Sequence, residues 1–158
     1  MKRSEYEERL EELNRQIEEL KNVEIEEDGV LKPKFDDEYW FLDDEGLIYQ
    51  DICVSAQPDN KRISIGNVFR TEEEAKHEVE RRKVLTELKK YSSKFDYGKE
   101  NYFMFYSNKY SKIMIDCEEY RQRPDIYFKS YEEAEEVIKK VGIERIIKYY
   151  LGVEEKNE

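Results

Sequence analysis

The sequence has few of the residues from which disulfides, metal centres and nucleophilic sites are built. Its 158 residues include two cysteines, one histidine, three prolines and six glycines. Cys53 and Cys117 have no cysteine or histidine neighbour at a metal-ligand spacing, so we expect no structural zinc and two reduced thiols within strands. His77 is the single histidine, and the sequence has no G-x-S-x-G nucleophile motif to pair with it, which disfavours a catalytic triad. We therefore predict a protein that is not an enzyme and that uses no cofactor or metal.

Long hydrophobic runs are also missing. The longest is the five-residue run from Tyr102 to Tyr106, whereas a membrane-spanning helix needs about 20 apolar residues. The opening residues 1–5 lead into charged residues rather than into an apolar segment, which is not the pattern of a secretory signal. We expect a cytoplasmic protein with no membrane partner.

Charged residues outnumber hydrophobic ones, at 42% against 38% of the chain. That balance alone favours disorder. However, 13 tyrosines, seven phenylalanines and one tryptophan supply large side chains that can close a small core. The composition therefore predicts a folded core with solvated ends.

Residues 1–28 are predicted to form an acidic, coiled-coil-like helix over residues 4–22, followed by a linker. Ser4 and Glu7 have the spacing of a capping box. The apolar seam repeats at intervals of four, three, four and three residues, and it comprises Tyr6, Leu10, Leu13, Ile17 and Leu20. Such a narrow seam must be covered, either by a second copy in a homodimer, by the body of the protein, or by a partner.

The rest of the chain contains an internal repeat. Residues 68–75 match residues 127–134 at an offset of 59, and residues 39–42 match residues 102–105 at an offset of 63. A repeat of this length defines a structural unit. We predict an α+β fold in which the N-terminal helix precedes two tandem, pseudo-repeated β-β-β-α units, packed as one domain. The predicted divisions are residues 29–97, 98–153 and an acidic tail over 154–158.

The local patterns within each unit predict three strands and a helix. In the first unit they are strands over 39–43, 47–54 and 62–69, with a loop around 58–60, and a helix over 72–91. In the second they are strands near 102–107, 111–117 and 125–129, and a helix that starts at Tyr131 and is interrupted at Gly142. Asp43 and Gly46 bound the first hairpin turn. Thr71 and Ser130 each open a capping box before a helix.

Negative charge is concentrated at the two ends of the chain. Residues 1–28 hold five basic and eleven acidic residues, a balance of −6, while residues 29–153 carry only −3 of the total of −11. A solvated surface explains such charge in most proteins. Alternatively, rows of carboxylates present a phosphate-like field that competes with nucleic acid for a basic groove. The predicted partner-binding residues are Glu11, Glu12, Glu18, Glu19, Asp36, Asp37, Asp43 and Asp44.

The same acidic clusters, Asp36 to Glu38 and Asp43 to Glu45, supply the oxygen ligands that divalent cations use. Neither cluster has the spacing of a calcium loop, so we expect solvated turns.

An alternative function is suggested by aromatic and basic residues interleaved in the second unit. The aromatic residues are Tyr102, Phe103, Phe105, Tyr106, Tyr110, Tyr120 and Tyr127, and the basic ones are Lys109, Lys112, Arg121, Arg123 and Lys129. On an exposed sheet face, such residues stack on and neutralise single-stranded nucleic acid. Strand alternation places about half of these rings in the core, and the overall acidity opposes nonspecific binding.

Three motifs carry a resemblance to a known group of proteins. Residues 66–75 (GNVFRTEEEA), residues 127–134 (YFKSYEEA) and residues 149–153 (YYLGV) resemble segments of small acidic accessory proteins of Firmicutes phages and prophages. The resemblance covers residues 32–153 and leaves out the N-terminal helix. It implies a mobile-element origin and a host-takeover or anti-defence role, including that of anti-CRISPR proteins that block the DNA-binding groove of a Cas nuclease. It carries no catalytic residues over to this chain.

Overall fold

The computed structural model describes residues 31–121 and 126–153, which adopt an α+β fold. Within them are two antiparallel sheets of two strands each, and four helices followed by one π-helical turn. The elements in chain order are β1 (Glu38–Leu42), β2 (Ile48–Ile52), α1 (Gln57–Ser64), α2 (Glu72–Tyr91), β3 (Asn101–Ser107), β4 (Lys112–Glu118), α3 (Tyr131–Val141), α4 (Ile143–Arg145) and the π turn (Ile146–Tyr150). The predicted helix over residues 4–22 and the tail over 154–158 lie outside the described residues.

The described chain divides into two compact units. The first comprises residues 31–41 and 49–70, and the second comprises residues 42–48 and 71–153. The predicted boundary after residue 97 instead groups the long helix with the first hairpin. The helix belongs to the second unit because its buried residues Val84 and Leu88 lie in the same core as Met104.

The first unit has a small core around Tyr39, Cys53 and Val68. Tyr39 lies on β1, Cys53 follows β2, and Val68 belongs to a short extended segment after α1. That segment pairs with β1, because Trp40 and Phe69 exchange two backbone hydrogen bonds of 2.9 and 2.8 Å. Leu31, Phe41 and Ile63 pack against the core from its periphery.

The predicted loop around residues 58–60 and most of the predicted strand over 62–69 are wrong, because residues 57–64 form helix α1. Pro58 lies in the first turn, where its missing N–H costs no helical hydrogen bond. The Asp59 carboxylate accepts hydrogen bonds from the backbone N–H groups of Val54 and Ala56, at 3.1 and 3.0 Å. These contacts organise the start of the helix and override the strand-like alternation of residues 62–65.

The second unit is built around helix α2. The Thr71 hydroxyl accepts a hydrogen bond of 3.1 Å from the Glu74 N–H, which confirms the predicted cap. Three glutamates follow in the first turn, and two lysines occupy the last turn, as the helix dipole favours. Late in the helix, Glu87 forms an ion pair of 2.8 Å with Arg145, which lies beyond α3 in the sequence.

The second sheet pairs β3 with β4 from Asn101 opposite Glu118 to Ser107 opposite Lys112. Its strands agree with those predicted near residues 102–107 and 111–117 to within one residue. Phe128 pairs with the outer side of β3 through two backbone hydrogen bonds with Tyr102, of 3.0 and 2.8 Å. Phe128 is itself 1% exposed, so this short segment adds a large side chain to the core.

Helix α3 begins at the predicted cap and ends at the predicted break. The Ser130 hydroxyl accepts a 3.1 Å hydrogen bond from the Glu133 N–H. Its buried residues recur on one face and are Ala134, Val137, Ile138 and Val141. Gly142 has a φ of 101°, a conformation that residues with a Cβ rarely adopt, so the helix stops there.

None of the helices in residues 31–121 and 126–153 combines the length and the apolar character that crossing a bilayer requires.

The core of the second unit makes a stability prediction. Leu88 is 0% exposed, so Leu88→Ala should lower the free energy of unfolding by about 2–5 kcal/mol through lost burial and a residual cavity. Leu47→Ala removes the same atoms from a side chain that is 52% exposed, and it should change stability by less than about 0.5 kcal/mol. Urea denaturation followed by circular dichroism measures both. Equal losses for the two variants would show that Leu88 is not a core residue.

Candidate functional site

The first hairpin and its flanking segments form a continuous acidic stretch. Residues 35–60 contain eight carboxylates and no lysine, arginine or histidine. Two of the eight are engaged with Arg62: Asp51 in an ion pair of 2.7 Å, and Asp59 at 4.0 Å. The other six form two clusters, one at the start of β1 and one in the turn after it, and they are Asp36, Asp37, Glu38, Asp43, Asp44 and Glu45.

The cluster at the start of β1 is a backbone turn with exposed side chains. Asp36 has a left-handed backbone with a φ of 70°, which aspartate tolerates better than most residues. The Asp37 carboxylate accepts a 2.7 Å hydrogen bond from the Lys34 N–H and thereby closes the turn. Glu38 accepts a 3.0 Å hydrogen bond from the Gln50 side chain. Of the two predicted site residues here, Asp37 has a structural role as well, while the Asp36 side chain is exposed to solvent.

The cluster in the β1–β2 turn also combines one structural aspartate with exposed carboxylates. One oxygen of Asp43 accepts hydrogen bonds from the N–H groups of Glu45 and Leu47, at 3.0 and 2.8 Å. Gly46 follows with a φ of 82°, which suits a tight turn. Asp43 therefore holds the turn, and Asp44 and Glu45 are exposed. The predicted site residue with a solvent-facing carboxylate in this turn is Asp44.

A buried polar cluster beside β1 was missed by the sequence analysis. The Tyr39 hydroxyl donates a 2.7 Å hydrogen bond to Asp59, whose residue is 3% exposed. Arg62 donates hydrogen bonds of 2.7 Å to both the Tyr39 hydroxyl and Asp51. Its guanidinium carbon lies 3.5 Å from the centre of the Phe41 ring, a cation–π contact. Asp59 and Arg62 share a face of α1 at a spacing of three, but nothing local to them indicates Tyr39 as their partner.

The hydrogen-bonded side chains of Tyr39, Asp59 and Arg62, called the clasp below, shift one another's pKa values. Burial, together with the hydrogen bond to Asp59, raises the pKa of Tyr39 above its ordinary value. The hydrogen bond from Tyr39, with those from the N–H groups of Ala56 and Val54, lowers the pKa of Asp59. A neutral phenol thus faces an ionised carboxylate, and the side chains of Tyr39, Asp59 and Arg62, together with Asp51, link β1, β2 and α1. No buried side-chain nitrogen or oxygen among the described residues lacks a hydrogen-bond partner.

The aromatic residues of the second unit are distributed between core and surface. Phe103 and Tyr127 are buried, Tyr102, Phe105 and Tyr106 are half-buried, and Tyr110 and Tyr120 are exposed. The Tyr102 hydroxyl donates a 2.7 Å hydrogen bond to Glu100, which raises the pKa of Tyr102 to about 12. Arg123 lies outside the described residues. The rings therefore do not form one continuous exposed stacking face.

The two cysteines and the histidine each have different surroundings. The Cys53 thiol is buried and donates to the Pro33 carbonyl at 3.4 Å. Cys117 is half-buried in β4, and burial raises the pKa of its thiol. The exposed His77 ring lies 4.9 Å from the Tyr149 ring. In the described parts of the chain, no group of three or more histidine, cysteine or acidic side chains is placed to hold a metal ion.

The clasp predicts an effect on stability. Tyr39→Phe removes the hydroxyl that donates to Asp59 and accepts from Arg62, so the free energy of unfolding should fall by about 1–3 kcal/mol. Tyr97→Phe is the matched control, because Tyr97 is 75% exposed and should be neutral. Chemical denaturation compares the two, and a wild-type midpoint for Tyr39→Phe would contradict the clasp.

The lowered pKa of Asp59 predicts a pH dependence of stability. In the unfolded chain this carboxyl titrates near its ordinary value of 3.8, and in the folded protein it titrates lower. Its contribution is therefore fully present above pH 3.8 and is lost as the pH falls through the folded pKa. Asp59→Asn should lose less stability than the wild type between neutral and acidic pH. Parallel curves of unfolding free energy against pH would show that Asp59 makes no such contribution.

The resemblance to phage accessory proteins rests on the residues quoted for it. Comparison of the chain with protein-family models, with curated proteins and with solved structures finds no match. The origin and activity that the resemblance implies therefore stay predictions.

Proposed function

We propose that this chain is a phage-encoded, non-enzymatic inhibitor of a host defence effector. In its most concrete form it is an anti-CRISPR protein that occludes the DNA-binding groove of a Cas nuclease. The observation that carries the proposal is the pair of exposed acidic turns flanking β1, within a 26-residue stretch that has no basic residue.

The physical basis is charge complementarity with a groove built to bind phosphates. Such grooves are lined by lysine and arginine, and they release condensed counterions when an anionic partner enters. Solvent-facing carboxylates at Asp36, Asp44 and Glu45 present fixed negative charge to such a groove. Complementary charge of this kind speeds association and disfavours partners of like charge.

Exposed apolar side chains close to these turns in the sequence can supply the contact area that charge alone does not. Phe35, Tyr49 and Ile52 are 64%, 45% and 48% exposed. Interfaces draw most of their affinity from a few buried aromatic or apolar side chains surrounded by polar ones. Exposed aromatic residues beside acidic turns therefore support a protein partner.

The N-terminal segment adds charge and a second means of association to the proposal. Its charge is −6 over residues 1–28, and the four glutamates proposed to contact the partner are Glu11, Glu12, Glu18 and Glu19. The apolar seam of Tyr6, Leu10, Leu13, Ile17 and Leu20 is proposed to pair with a second copy of the chain. All of these residues lie outside the described part of the structure.

The tandem β-β-β-α organisation also remains a proposal. It is supported by a shared backbone pattern, in which the first strand of each hairpin pairs with a short segment that ends two residues before a hydroxyl cap. The paired residues are Trp40 with Phe69, and Tyr102 with Phe128. Helix α1 distinguishes the first copy, because none of the described residues between β4 and Phe128 is helical.

The test is retention of a Cas9 effector, loaded with its guide, on the tagged protein. The effector should be retained by the wild type, and retention should fall at least about tenfold for the double variant Asp44→Lys, Glu45→Lys, because charge reversal turns attraction into repulsion. The quadruple reversal of Glu11, Glu12, Glu18 and Glu19 to lysine should abolish retention.

The matched control reverses two exposed glutamates elsewhere. The double variant Glu135→Lys, Glu136→Lys makes the same change in net charge on α3, and its two lost ion pairs with Lys139 and Lys140 are exposed and contribute little. It should retain the effector. If this control lost retention equally, the loss would reflect the net charge of the protein rather than the acidic turns. If the Asp44/Glu45 variant and the quadruple variant both retained the effector like the wild type, acidic occlusion would be excluded.

A further inference from the structure

The loop between α2 and β3 forms one side of a pocket in the second unit. The pocket has a volume of about 400 Å³, and its lining includes Ser93, Lys94, Phe95, Tyr97, Arg121 and Tyr127. This volume lies within the range of small-molecule sites, roughly 300–1,000 Å³. The pocket combines aromatic rings with cationic side chains, whereas the acidic turns contain neither lysine nor arginine.

The loop that carries most of these residues is held in place by Asn101, whose residue is 4% exposed. The Asn101 amide oxygen accepts a 2.7 Å hydrogen bond from the Asp96 N–H. Its amide nitrogen lies 2.7 Å from the Lys99 carbonyl and 2.9 Å from the Asp96 carbonyl. The Ser93 N–H donates to the Tyr127 carbonyl at 2.7 Å, which ties the other end of the loop. The pocket is therefore built before any ligand arrives.

Three aromatic rings form the apolar part of the pocket. Phe95 lies edge-on to both Tyr97 and Tyr127, with ring centres 5.1 and 5.0 Å apart. Tyr127 is 2% exposed and forms the base of this group, while Tyr97 is 75% exposed. Because Tyr97 contacts Phe95 and is largely exposed, its ring is accessible for stacking by a planar group.

The cationic part consists of Lys94 and Arg121. Lys94 forms no ion pair with any described residue. It lies in a stretch, residues 88–95, that contains three lysines and no acidic residue. Two described carboxylates near the pocket have partners of their own: Asp96 forms an ion pair with Lys99, and Glu118 accepts a hydrogen bond from the Tyr127 hydroxyl. Cations next to a stacking ring match a phosphate joined to a planar base.

We propose that this pocket binds a nucleotide unit, with the base stacked on Tyr97 and the phosphate held by Lys94 and Arg121. The unit can belong to a free nucleotide or to a single-stranded nucleic acid, which share this chemistry. The binding mode uses one pocket rather than a continuous sheet face, so it is compatible with the scattered burial of the other aromatic residues. It does not depend on the inhibitor proposal.

The test measures fluorescence anisotropy of a labelled oligo(dT) with the full chain, and competition by thymidine monophosphate. Tyr97→Ala should weaken oligonucleotide binding by about tenfold, the loss of one stacked base. Lys94→Glu should weaken it further at low salt. It should also reduce the slope of log affinity against log salt by at least about 0.7, the value for one phosphate of a single strand.

Two control variants keep the result specific to the pocket. Tyr97→Phe keeps the ring and should bind as the wild type does. Lys61→Glu makes the same charge change as Lys94→Glu on the exposed face of α1 and should have little effect. Because Lys94 and Tyr97 are exposed, circular dichroism should show all four variants folded.

The outcomes distinguish a free-nucleotide site from a single-strand site, and either of these from the absence of a specific site. Competition by the mononucleotide identifies a free-nucleotide site, and binding of the oligonucleotide without such competition identifies a single-strand site. No binding of either ligand at about 50 mM salt overturns the proposal. Equal weakening by Lys61→Glu and Lys94→Glu also overturns it, because the binding would then be nonspecific. Neither result bears on retention of a Cas effector by the acidic turns.

Discussion

Each sheet in the described part of the chain has two strands, and the rest of that structure depends on this constraint. An isolated two-stranded hairpin is marginal in water. Each hairpin here gains a short third segment, through Phe69 or Phe128, and buries one face in a core to which a helix contributes. In the first unit the core is so small that a polar clasp of Tyr39, Asp59 and Arg62 takes over part of the role that apolar packing has elsewhere.

The positions of the carboxylates in the first hairpin also have a structural cause. A chain that is 42% charged must place most of its charges at the surface, and tight turns are positions where aspartate is useful. Asp37 and Asp43 each satisfy backbone N–H groups that the turn would otherwise leave unpaired. Their neighbours, Asp36 and Asp44, then face solvent and concentrate negative charge beside the strand. Structural aspartates and a candidate binding surface thus arise from the same two turns.

The two proposals assign different chemistry to different residues. The acidic turns suit a basic macromolecular groove, and the pocket at the α2–β3 loop suits a single phosphate with an attached ring. A protein with a formal charge of −11 repels nucleic acid at long range. Any nucleotide site on it must therefore be local, with its cations clustered and its neighbouring carboxylates engaged. The loop anchored by Asn101 brings Lys94 into the same pocket as Arg121.

The sequence by itself determined the features that depend on neighbouring residues. The turn from Asp43 to Gly46, the hydroxyl caps at Thr71 and Ser130, and the helix break at Gly142 each involve contacts within about four residues, so their signals are local. Both strands of the second hairpin were predicted from short local patterns of strand length, for the same reason.

Only the tertiary structure decided the features that join distant residues. Residues 57–64 are helical although residues 62–65 alternate like a strand, because Asp59 satisfies the N–H groups before the helix and also binds Tyr39, 20 residues away. Helix α2 joins the second core because Val84 and Leu88 pack with residues from β3 and α3. The pocket likewise needs Arg121 and Tyr127 beside Lys94 and Tyr97. Packing and hydrogen bonding across such separations are set by which surfaces meet in the folded chain, and no short sequence pattern encodes that.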